Sequence, residues 1–329
     1  MTLRKILFLL LSLSLVVFMS CSDDDNPTEP EPTLPEFEML AAVGDAYYTA
    51  YTTVEGRGVN TTMQVVFDNL TDGDDSNNPQ IIDWRSAADY DAKHIKGAIN
   101  IALGDLVDKV DDGTIDMDKQ IVNVCYTGQT ASVATATLNM LGYDSQNLKF
   151  GMCGVTNDVT IVAKTDRWDA AIAEDDYTLN KTDEGAPGTE YAFPTISTGA
   201  KNSSEVIKNQ FSNVTAGWGV GFADVKADPS SFFIVNYWSA AEYMDPGHIE
   251  TAYQFTPKSS LQMANMLKNL PTDKTIAVYC YTGQTSAQVA AYLRLLGYDA
   301  KSILYGVNGF AHDQMLEGQA MYHATDPAD

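Results

Sequence analysis

The chain has 329 residues, and 45% of them are hydrophobic, which is enough to fill the cores of two globular domains. Its net charge of −24 at pH 7 would repel both nucleic acid and anionic membrane surfaces, so neither is an expected partner.

The first twenty residues have the pattern of a signal peptide. Arg4 and Lys5 precede an apolar stretch, 6–19, that is too short to span a membrane but suits a signal-peptide core. It ends in Phe18-Met19-Ser20-Cys21, which resembles the lipobox of bacterial lipoproteins. The resemblance implies that Cys21 is lipidated and begins the mature chain. An ordinary secretory signal with an incidental cysteine is the alternative.

Residues 21–36 are acidic and rich in proline, a composition that cannot bury a core and predicts a flexible tether. The triplet 23–25, all aspartate, resembles the surface-export signal of Bacteroidetes lipoproteins, although a solvated spacer would look the same. We therefore expect a protein of the cell envelope, with its membrane contact made through the N-terminal lipid.

A long internal repeat dominates the rest of the chain. The segment VNVCYTGQTASVATATLNMLGYD starts at Val122 and returns from Ala277 as AVYCYTGQTSAQVAAYLRLLGYD, with Cys125 and Cys280 lying 155 positions apart. A period this long indicates a duplicated domain rather than a solenoid. The predicted boundaries are a first domain at 37–180, a linker at 181–198 and a second domain at 199–329.

Within each copy, short apolar runs alternate with amphipathic helices. The runs 81–82, 121–124, 232–235 and 276–279 predict buried strands, and the apolar spacing after each cysteine predicts a helix that Gly142 or Gly297 ends. This alternation predicts an α/β fold in which each domain is a parallel sheet with helices on both faces. Functional groups then gather at the carboxyl ends of the strands, where both cysteines lie.

The loop after each cysteine is a candidate active site. Loop N–H groups and the following helix N-terminus would favour a thiolate, so both cysteines are predicted to have a pKa below the free value of about 8.5. Each could instead be a small buried core residue. The candidate substrate-binding residues are those of the two loops: Tyr126, Thr127, Gly128, Gln129 and Thr130, and Tyr281, Thr282, Gly283, Gln284 and Thr285.

Several motifs together resemble the rhodanese superfamily. They are Asp83-x-Arg85, Asp89-Tyr90, His94-Ile95-x-Gly97-Ala98 and the cysteine loop that opens a helix. The resemblance implies a five-stranded parallel sheet in each domain and catalytic cysteines, Cys125 and Cys280, that accept sulfane sulfur as a persulfide and pass it to a thiophilic acceptor.

Loop length and charge refine this interpretation. Phosphatases of related design need an arginine six positions after the cysteine, where this chain has Ala131 and Ser286. The six-residue loop closed by threonine matches the sulfurtransferase branch instead. Neither loop carries a basic residue, so thiosulfate, mercaptopyruvate, a protein persulfide and polysulfide all remain candidate donors.

The remaining polar residues have structural or secondary roles in this interpretation. Arg85 is expected to pair with Asp89 one helical turn on, and with Asp83 to form a structural brace. His94 and His248 are expected to be packed or capping residues rather than general bases. Cys153 is a buried thiol or, less favoured, a resolving thiol for Cys125.

No metal-ligand spacing and no phosphate loop occurs, so we predict no metal, no cofactor and no nucleotide partner. The leading function is an envelope sulfurtransferase with a small sulfur donor and a thiol acceptor, either of which could be a protein. Two alternatives remain open: a non-catalytic sulfur carrier, sensor or protein-binding lipoprotein, and a thiol-redox protein using Cys125 with Cys153.

Overall fold

The computed structural model describes residues 34–156, 158, 167, 168, 170–172 and 176–322. The predicted signal peptide, Cys21 and most of the predicted tether lie outside these residues. No helix within the described ranges is long and apolar enough to cross a bilayer.

Each half of the chain forms a five-stranded, all-parallel sheet, and the predicted fold class is confirmed. The first sheet has the order β1-β5-β4-β2-β3 and the second the order β6-β10-β9-β7-β8, so the two are equivalent. The first-half strands are β1 Asn60–Thr61, β2 Gln80–Asp83, β3 Ile99–Asn100, β4 Gln120–Val124 and β5 Asp144–Leu148. The second-half strands are β6 Gly219–Val220, β7 Phe232–Asn236, β8 Tyr253–Gln254, β9 Thr275–Tyr279 and β10 Ala300–Ile303.

The helices cover both faces of each sheet, as a parallel sheet requires. In the first half they are α1 Glu36–Ala50, α2 Met63–Thr71, α3 Ala87–Ala92, α4 Leu106–Asp111 and α5 Gln129–Met140. In the second half they are α6 Ser203–Thr215, α7 Phe222–Ala227, α8 Ala240–Met244 and α9 Gln284–Leu295, and a helical turn lies at Ala170–Ile172.

The two halves share one of their hydrophobic cores. α5 and α9, the helices that follow the two cysteines, pack against each other together with α1 and α6. Residues of both halves join this interdomain core, among them Val133, Leu138, Val289 and Leu293. Each sheet has a separate outer core on its other face, represented by Val122 in the first half and Ala277 in the second.

The strand sequences explain how two cores can share one sheet. Ile82 and Ile121 contribute to the interdomain core, whereas their neighbours Ile81 and Val122 contribute to the outer core of the first half. Because successive strand side chains point to opposite faces, an uninterrupted apolar run fills both layers.

The first helix of the described residues, α1, packs on the second half. The Tyr48 hydroxyl of α1 donates a 2.6 Å hydrogen bond to the backbone oxygen of Gln288 in α9. The Glu36 carboxylate accepts hydrogen bonds from the backbone N–H groups of Thr198, Gly199 and Ala200. α1 therefore joins the start of the first half to the start of the second.

The end of the described chain crosses in the other direction. The Tyr322 ring is fully buried in the outer core of the first half, where it stacks on Trp168 with 4.9 Å between ring centroids. The two halves are thus tied together at both ends as well as through the shared core.

Candidate functional site

Both cysteines lie at the carboxyl end of the central strand of their sheet. Cys125 follows β4 and Cys280 follows β9, and the two side chains are only 2% and 4% exposed. Each loop then enters its helix through a glycine with a positive φ, +81° at Gly128 and +74° at Gly283. Glycine adopts this conformation without strain, so α5 and α9 can begin directly after it.

A backbone N–H group at the start of the following helix points at each sulfur. The N–H of Ala131 donates to Cys125 Sγ and that of Ser286 to Cys280 Sγ, both over 3.4 Å. The predicted lowering of the pKa is nevertheless wrong for Cys125. Burial raises the pKa of this thiol and outweighs the opposing N–H groups of Ala131, Thr127, Gly128 and Thr130.

A glycine-rich turn closes each loop from the side. The turns Gly151–Gly154 and Gly306–Gly309 follow the last strand of their sheets. Any side chain at Gly151 or Gly306 would collide with the backbone of the cysteine loop. The carbonyl of Cys125 accepts a hydrogen bond from Met152 N at 2.7 Å, so the turn fixes the backbone that carries the sulfur.

The tyrosine after each cysteine is half-buried, and its hydroxyl donates to a carboxylate in the short helix that follows the neighbouring strand, α3 after β2 or α8 after β7. Tyr126 donates to Asp89, and Tyr281 donates to Glu242 over 2.8 Å. Hydrogen bonds from the Ser86 hydroxyl and from Tyr126 hold the pKa of Asp89 below its usual value.

The surroundings of these two tyrosines differ between the domains. In the first, the guanidinium of Arg167 lies 3.6 Å from the Tyr126 ring centroid, a cation–π contact. In the second, the Trp238 ring stacks on Tyr281 with centroids 4.3 Å apart. A cation therefore lies beside the first loop, although the loop itself is neutral.

The two loop glutamines reach across the domain interface. Gln129 Oε1 accepts a hydrogen bond from the backbone N–H of Tyr305 at 2.8 Å. In the opposite direction, Gln284 Oε1 accepts from Asn147 Nδ2 at 2.9 Å and from Phe150 N at 3.4 Å. Each glutamine is 3% exposed, and both side-chain amides lie in the interdomain contact.

The loop threonines divide into two kinds. Thr127 and Thr282 are buried, and their hydroxyls accept hydrogen bonds from Gln129 Nε2 and Gln284 N within the loop. Thr130 and Thr285 are half-buried at the helix starts. Of the ten loop residues, Tyr126, Thr130, Tyr281 and Thr285 therefore keep the most access to solvent.

Tyr51, just after α1, reaches the second site. Its hydroxyl donates to Gln288 Oε1 at 3.1 Å. Burial raises the pKa of Tyr51 well above its usual value, while a hydrogen bond with Thr285 opposes the shift and the nearby Cys280 adds to it. The first half of the chain thus supplies a residue to the surroundings of Cys280.

The predicted ion pair between Arg85 and Asp89 is wrong, because Arg85 pairs with Asp83. Its Nε and Nη2 atoms lie 2.8–3.1 Å from the Asp83 carboxylate, and both side chains are fully buried. Nη2 also donates to the Lys93 carbonyl at 2.7 Å. Asp83 is the last residue of β2, and the backbone N–H of Arg85 also donates to its carboxylate at 3.0 Å, so the ion pair closes the turn at the end of the strand.

The two histidines of the repeated motif are packed against tyrosines. His94 stacks on Tyr90 and His248 on Tyr243, with centroids 3.9 and 3.6 Å apart. Each Nδ1 lies 2.8 Å from the carbonyl oxygen of the same tyrosine. Both rings therefore support the loop that follows α3 or α8.

Cys125 and Cys153 are not joined by a disulfide in the structure. Cys125 belongs to the interdomain core, whereas Cys153 is fully buried in the outer core of the first half. The backbone of Cys153 approaches the loop, donating to the Tyr126 carbonyl at 3.0 Å. The two side chains nevertheless lie in different layers.

Three residues near the cysteines were not assigned a function from sequence: Ser286, Ser302 and Tyr51. From sequence, Ser286 served only to show that the arginine of a phosphatase is missing at this position. The sequence signal for Ser286 is that it differs from Ala131, the equivalent residue of the first copy, next to a loop that is otherwise identical in both copies. Nothing in the periodicity pointed to Ser302 or Tyr51, because their proximity to Cys280 arises from the tertiary fold.

Comparison with known proteins identifies the repeated unit. A family model described as a rhodanese-like domain matches residues 67–158 and again residues 224–313, together more than half of the chain. A search of curated proteins found no match.

Solved structures that match part of this chain include reduced CoADR-RHD of Bacillus anthracis, which is 27% identical over 30% of this chain and 16% of its own, with a TM-score of 0.26. A rhodanese-related protein of Thermoplasma volcanium is 19% identical over 30% of this chain and 93% of its own, with a TM-score of 0.25. A thiosulfate sulfurtransferase of Pseudomonas aeruginosa is 13% identical over 89% of this chain and 50% of its own, with a TM-score of 0.30. This chain thus spans a small part of the first structure and half of the last.

Proposed function

The chain belongs to the rhodanese-like family, and on that premise we propose that it is a sulfurtransferase that carries sulfane sulfur as a cysteine persulfide. One observation supports this most strongly: each of the two domains places a cysteine at the end of its central strand, with loop N–H groups directed at the sulfur. A thiolate is the nucleophile in such chemistry, and these donors are the groups that stabilise it.

The proposed reaction has two steps. The cysteine thiolate attacks the outer sulfur of a donor such as thiosulfate. A bond forms between the cysteine sulfur and this outer sulfur, and the S–S bond of thiosulfate breaks with its electron pair leaving on sulfite. A thiophile such as cyanide or a thiolate then attacks the outer persulfide sulfur and regenerates the cysteine thiolate. No oxidant or metal is needed for either step.

The residues of the loop would hold the reacting groups. N–H groups of the loop would stabilise the negative charge of the sulfur by hydrogen bonding. The half-buried Tyr126 and Tyr281 lie directly after the two cysteines. Mercaptopyruvate, a protein persulfide and polysulfide remain possible donors, since these neutral loops offer hydrogen bonds and no charge to distinguish them.

Intact-mass measurement tests the proposal. The purified protein is exposed separately to thiosulfate, mercaptopyruvate and polysulfide, and the same is done for Cys125→Ser, Cys280→Ser and the double variant. We expect a gain of one sulfur atom that is lost on adding cyanide and that the double variant does not show. An unchanged mass with every donor would refute sulfur transfer.

A second candidate, a sulfur carrier without turnover, is favoured by the burial of both sulfur atoms. A buried persulfide would exchange slowly with small thiols in solution. A carrier would gain sulfur in the mass experiment and keep it after cyanide is added, whereas the sulfurtransferase would release thiocyanate repeatedly.

We also propose that the protein is a lipoprotein of the cell envelope, held on the outer membrane through Cys21. The support is the signal-like start of the sequence and the lipobox-like residues 18–21. The native protein should fractionate with membranes and carry acyl chains, and Cys21→Ala should release it or block its processing. A Cys21→Ala protein that stays membrane-bound with unchanged mass would refute the anchor.

A further inference from the structure

The two cysteines have different hydrogen-bond partners. Ser286 Oγ lies 3.5 Å from Cys280 Sγ and 2.7 Å from Ser302 Oγ. Ser302 Oγ in turn lies 3.2 Å from the carbonyl oxygen of Gly283, in the loop that carries the sulfur. A continuous chain therefore runs from Cys280 through two hydroxyls to a backbone acceptor.

The first domain lacks both hydroxyls. At the matched positions it has Ala131, which offers the sulfur a backbone N–H and a methyl group, and Asn147. The Asn147 amide donates to Asn60 and Gln284 instead. The repeat thus diverges at the atoms closest to the sulfur, although five of the six residues that follow each cysteine are identical.

We propose that the Ser286 hydroxyl is a catalytic group of the second domain that donates its hydrogen to the Cys280 thiolate, and that Cys280 rather than Cys125 is the main sulfur-carrying cysteine at neutral pH. This assignment rests on the proposed sulfurtransferase function. It adds a residue and a ranking of the two domains that the family match does not supply.

The chain of hydroxyls can serve both protonation states of Cys280 by rotation alone. With a thiol, the S–H donates to Ser286, Ser286 donates to Ser302, and Ser302 donates to the Gly283 carbonyl. With a thiolate, Ser286 turns to donate to the sulfur and Ser302 turns to donate to Ser286. A hydroxyl is both donor and acceptor and rotates freely, so no heavy atom has to move.

Burial strengthens this effect. Ser286 and Ser302 are fully buried and Cys280 nearly so, so water does not compete for the sulfur and hydrogen bonds there are electrostatically stronger than in solution. At Cys125 the hydrogen-bond donors to the thiolate are backbone N–H groups, and they do not offset burial, which raises the pKa of that thiol. The second site is therefore better suited to hold a charged sulfur.

The test uses the full chain and its variants Ser286→Ala and Ser302→Ala. Alkylation of Cys280 and Cys125 by iodoacetamide is followed against pH by peptide mass, and sulfur loading from thiosulfate is measured at pH 7. In the unaltered protein, Cys280 should be alkylated at lower pH than Cys125. Ser286→Ala should raise the Cys280 midpoint by about one pH unit, which means roughly tenfold less thiolate below the midpoint, and loading should fall by a similar factor.

Cys125 in the same molecule is the internal control, since its alkylation profile should not change. Ser302→Ala should give a smaller shift in the same direction. Should Ser286→Ala fail to fold, Ala131→Ser replaces it, and this variant should move the Cys125 midpoint to lower pH.

The possible failures are distinguishable. An unchanged Cys280 midpoint in Ser286→Ala, or an unchanged Cys125 midpoint in Ala131→Ser, overturns the role of the hydroxyl. Sulfur loading that occurs equally in Ser286→Ala and the unaltered protein overturns the inference and leaves the proposed function standing. Shifted midpoints together with an unchanged mass after thiosulfate, mercaptopyruvate and polysulfide would refute the proposed function and leave the stabilised thiolate of Cys280 standing.

Discussion

The side-chain oxygen of Gln129 and the backbone nitrogen of Tyr305 form a 2.8 Å hydrogen bond between the two domains. Gln284 makes the matching contact with Phe150 in the other direction. The loop that carries each cysteine is thus also part of the surface that joins the halves.

We predict that Gln129→Ala and Gln284→Ala each lower the free energy of unfolding by about 1–3 kcal/mol, because each removes the side-chain acceptor of a backbone N–H at the domain interface, that of Tyr305 or that of Phe150. Urea unfolding measures the loss. Gln64→Ala, at an exposed position of α2, is the control and should change stability by less than about 0.5 kcal/mol. Equal losses in the free energy of unfolding for the three variants would mean that the two interdomain glutamine contacts do not stabilise the protein.

We predict that Cys125 reacts slowly with iodoacetamide at neutral pH, with a midpoint above about 8.5. The reason is that burial raises the pKa of this thiol, so less thiolate is present at a given pH and reactivity grows as the pH rises toward the raised value. Peptide mass after timed alkylation between neutral and alkaline pH gives the midpoint. Half-maximal alkylation of Cys125 at or below neutral pH would contradict the prediction.

We predict that Arg85→Met lowers the free energy of unfolding by about 3–5 kcal/mol, since it leaves the buried Asp83 carboxylate without its cation. Combining it with Asp83→Asn should recover part of the loss, because no charge is then left unpaired. Lys181→Met breaks an ion pair whose side chains are 63% and 62% exposed and should cost no more than about 1 kcal/mol. Urea unfolding of the three variants measures these losses. A double variant with a lower free energy of unfolding than Arg85→Met would contradict the prediction.

We predict that Gly44→Ala destabilises the protein by about 1–3 kcal/mol, the usual cost of overpacking a core. In a helix, alanine normally stabilises relative to glycine by about 1 kcal/mol. Here the added methyl group would collide with the ring of Tyr292 in α9, so the usual sign is reversed. Gly188→Ala, which has open space around it, is the control for thermal or urea unfolding. A stabilised Gly44→Ala protein would show that α1 does not pack on the second half.

The parts of the fold that were predictable from sequence are those encoded by local periodicity. The apolar runs ending at Val124 and Tyr279, and the glycines at 142 and 297, indicated the central strands and the helices that follow them. The sheet order and the shared core depend on contacts between distant segments. No helix was predicted from sequence at the position of α1, and its packing on the second half arises from the tertiary fold.

The site was predictable in its position and less so in its contacts. The repeat located both cysteines and both loops, because identical residues recur there at matched places. The ion pair of Arg85 was misassigned since helical spacing favoured Asp89 while the chain turns sharply after Asp83. The crossing of Gln129 and Gln284, and the hydroxyl chain at Cys280, join residues with no regular spacing along the sequence.

The reciprocal contacts of the two glutamines give the molecule the geometry of a two-fold dimer whose subunits are joined in one chain. In an isologous interface the same surface is used twice, so residue i of one copy meets residue j of the other and the reverse. A dimer of this kind separates on dilution, whereas joined copies keep a fixed effective concentration. The connection between the halves therefore allows each one to change its own cysteine environment while the shared surface stays assembled at any protein concentration.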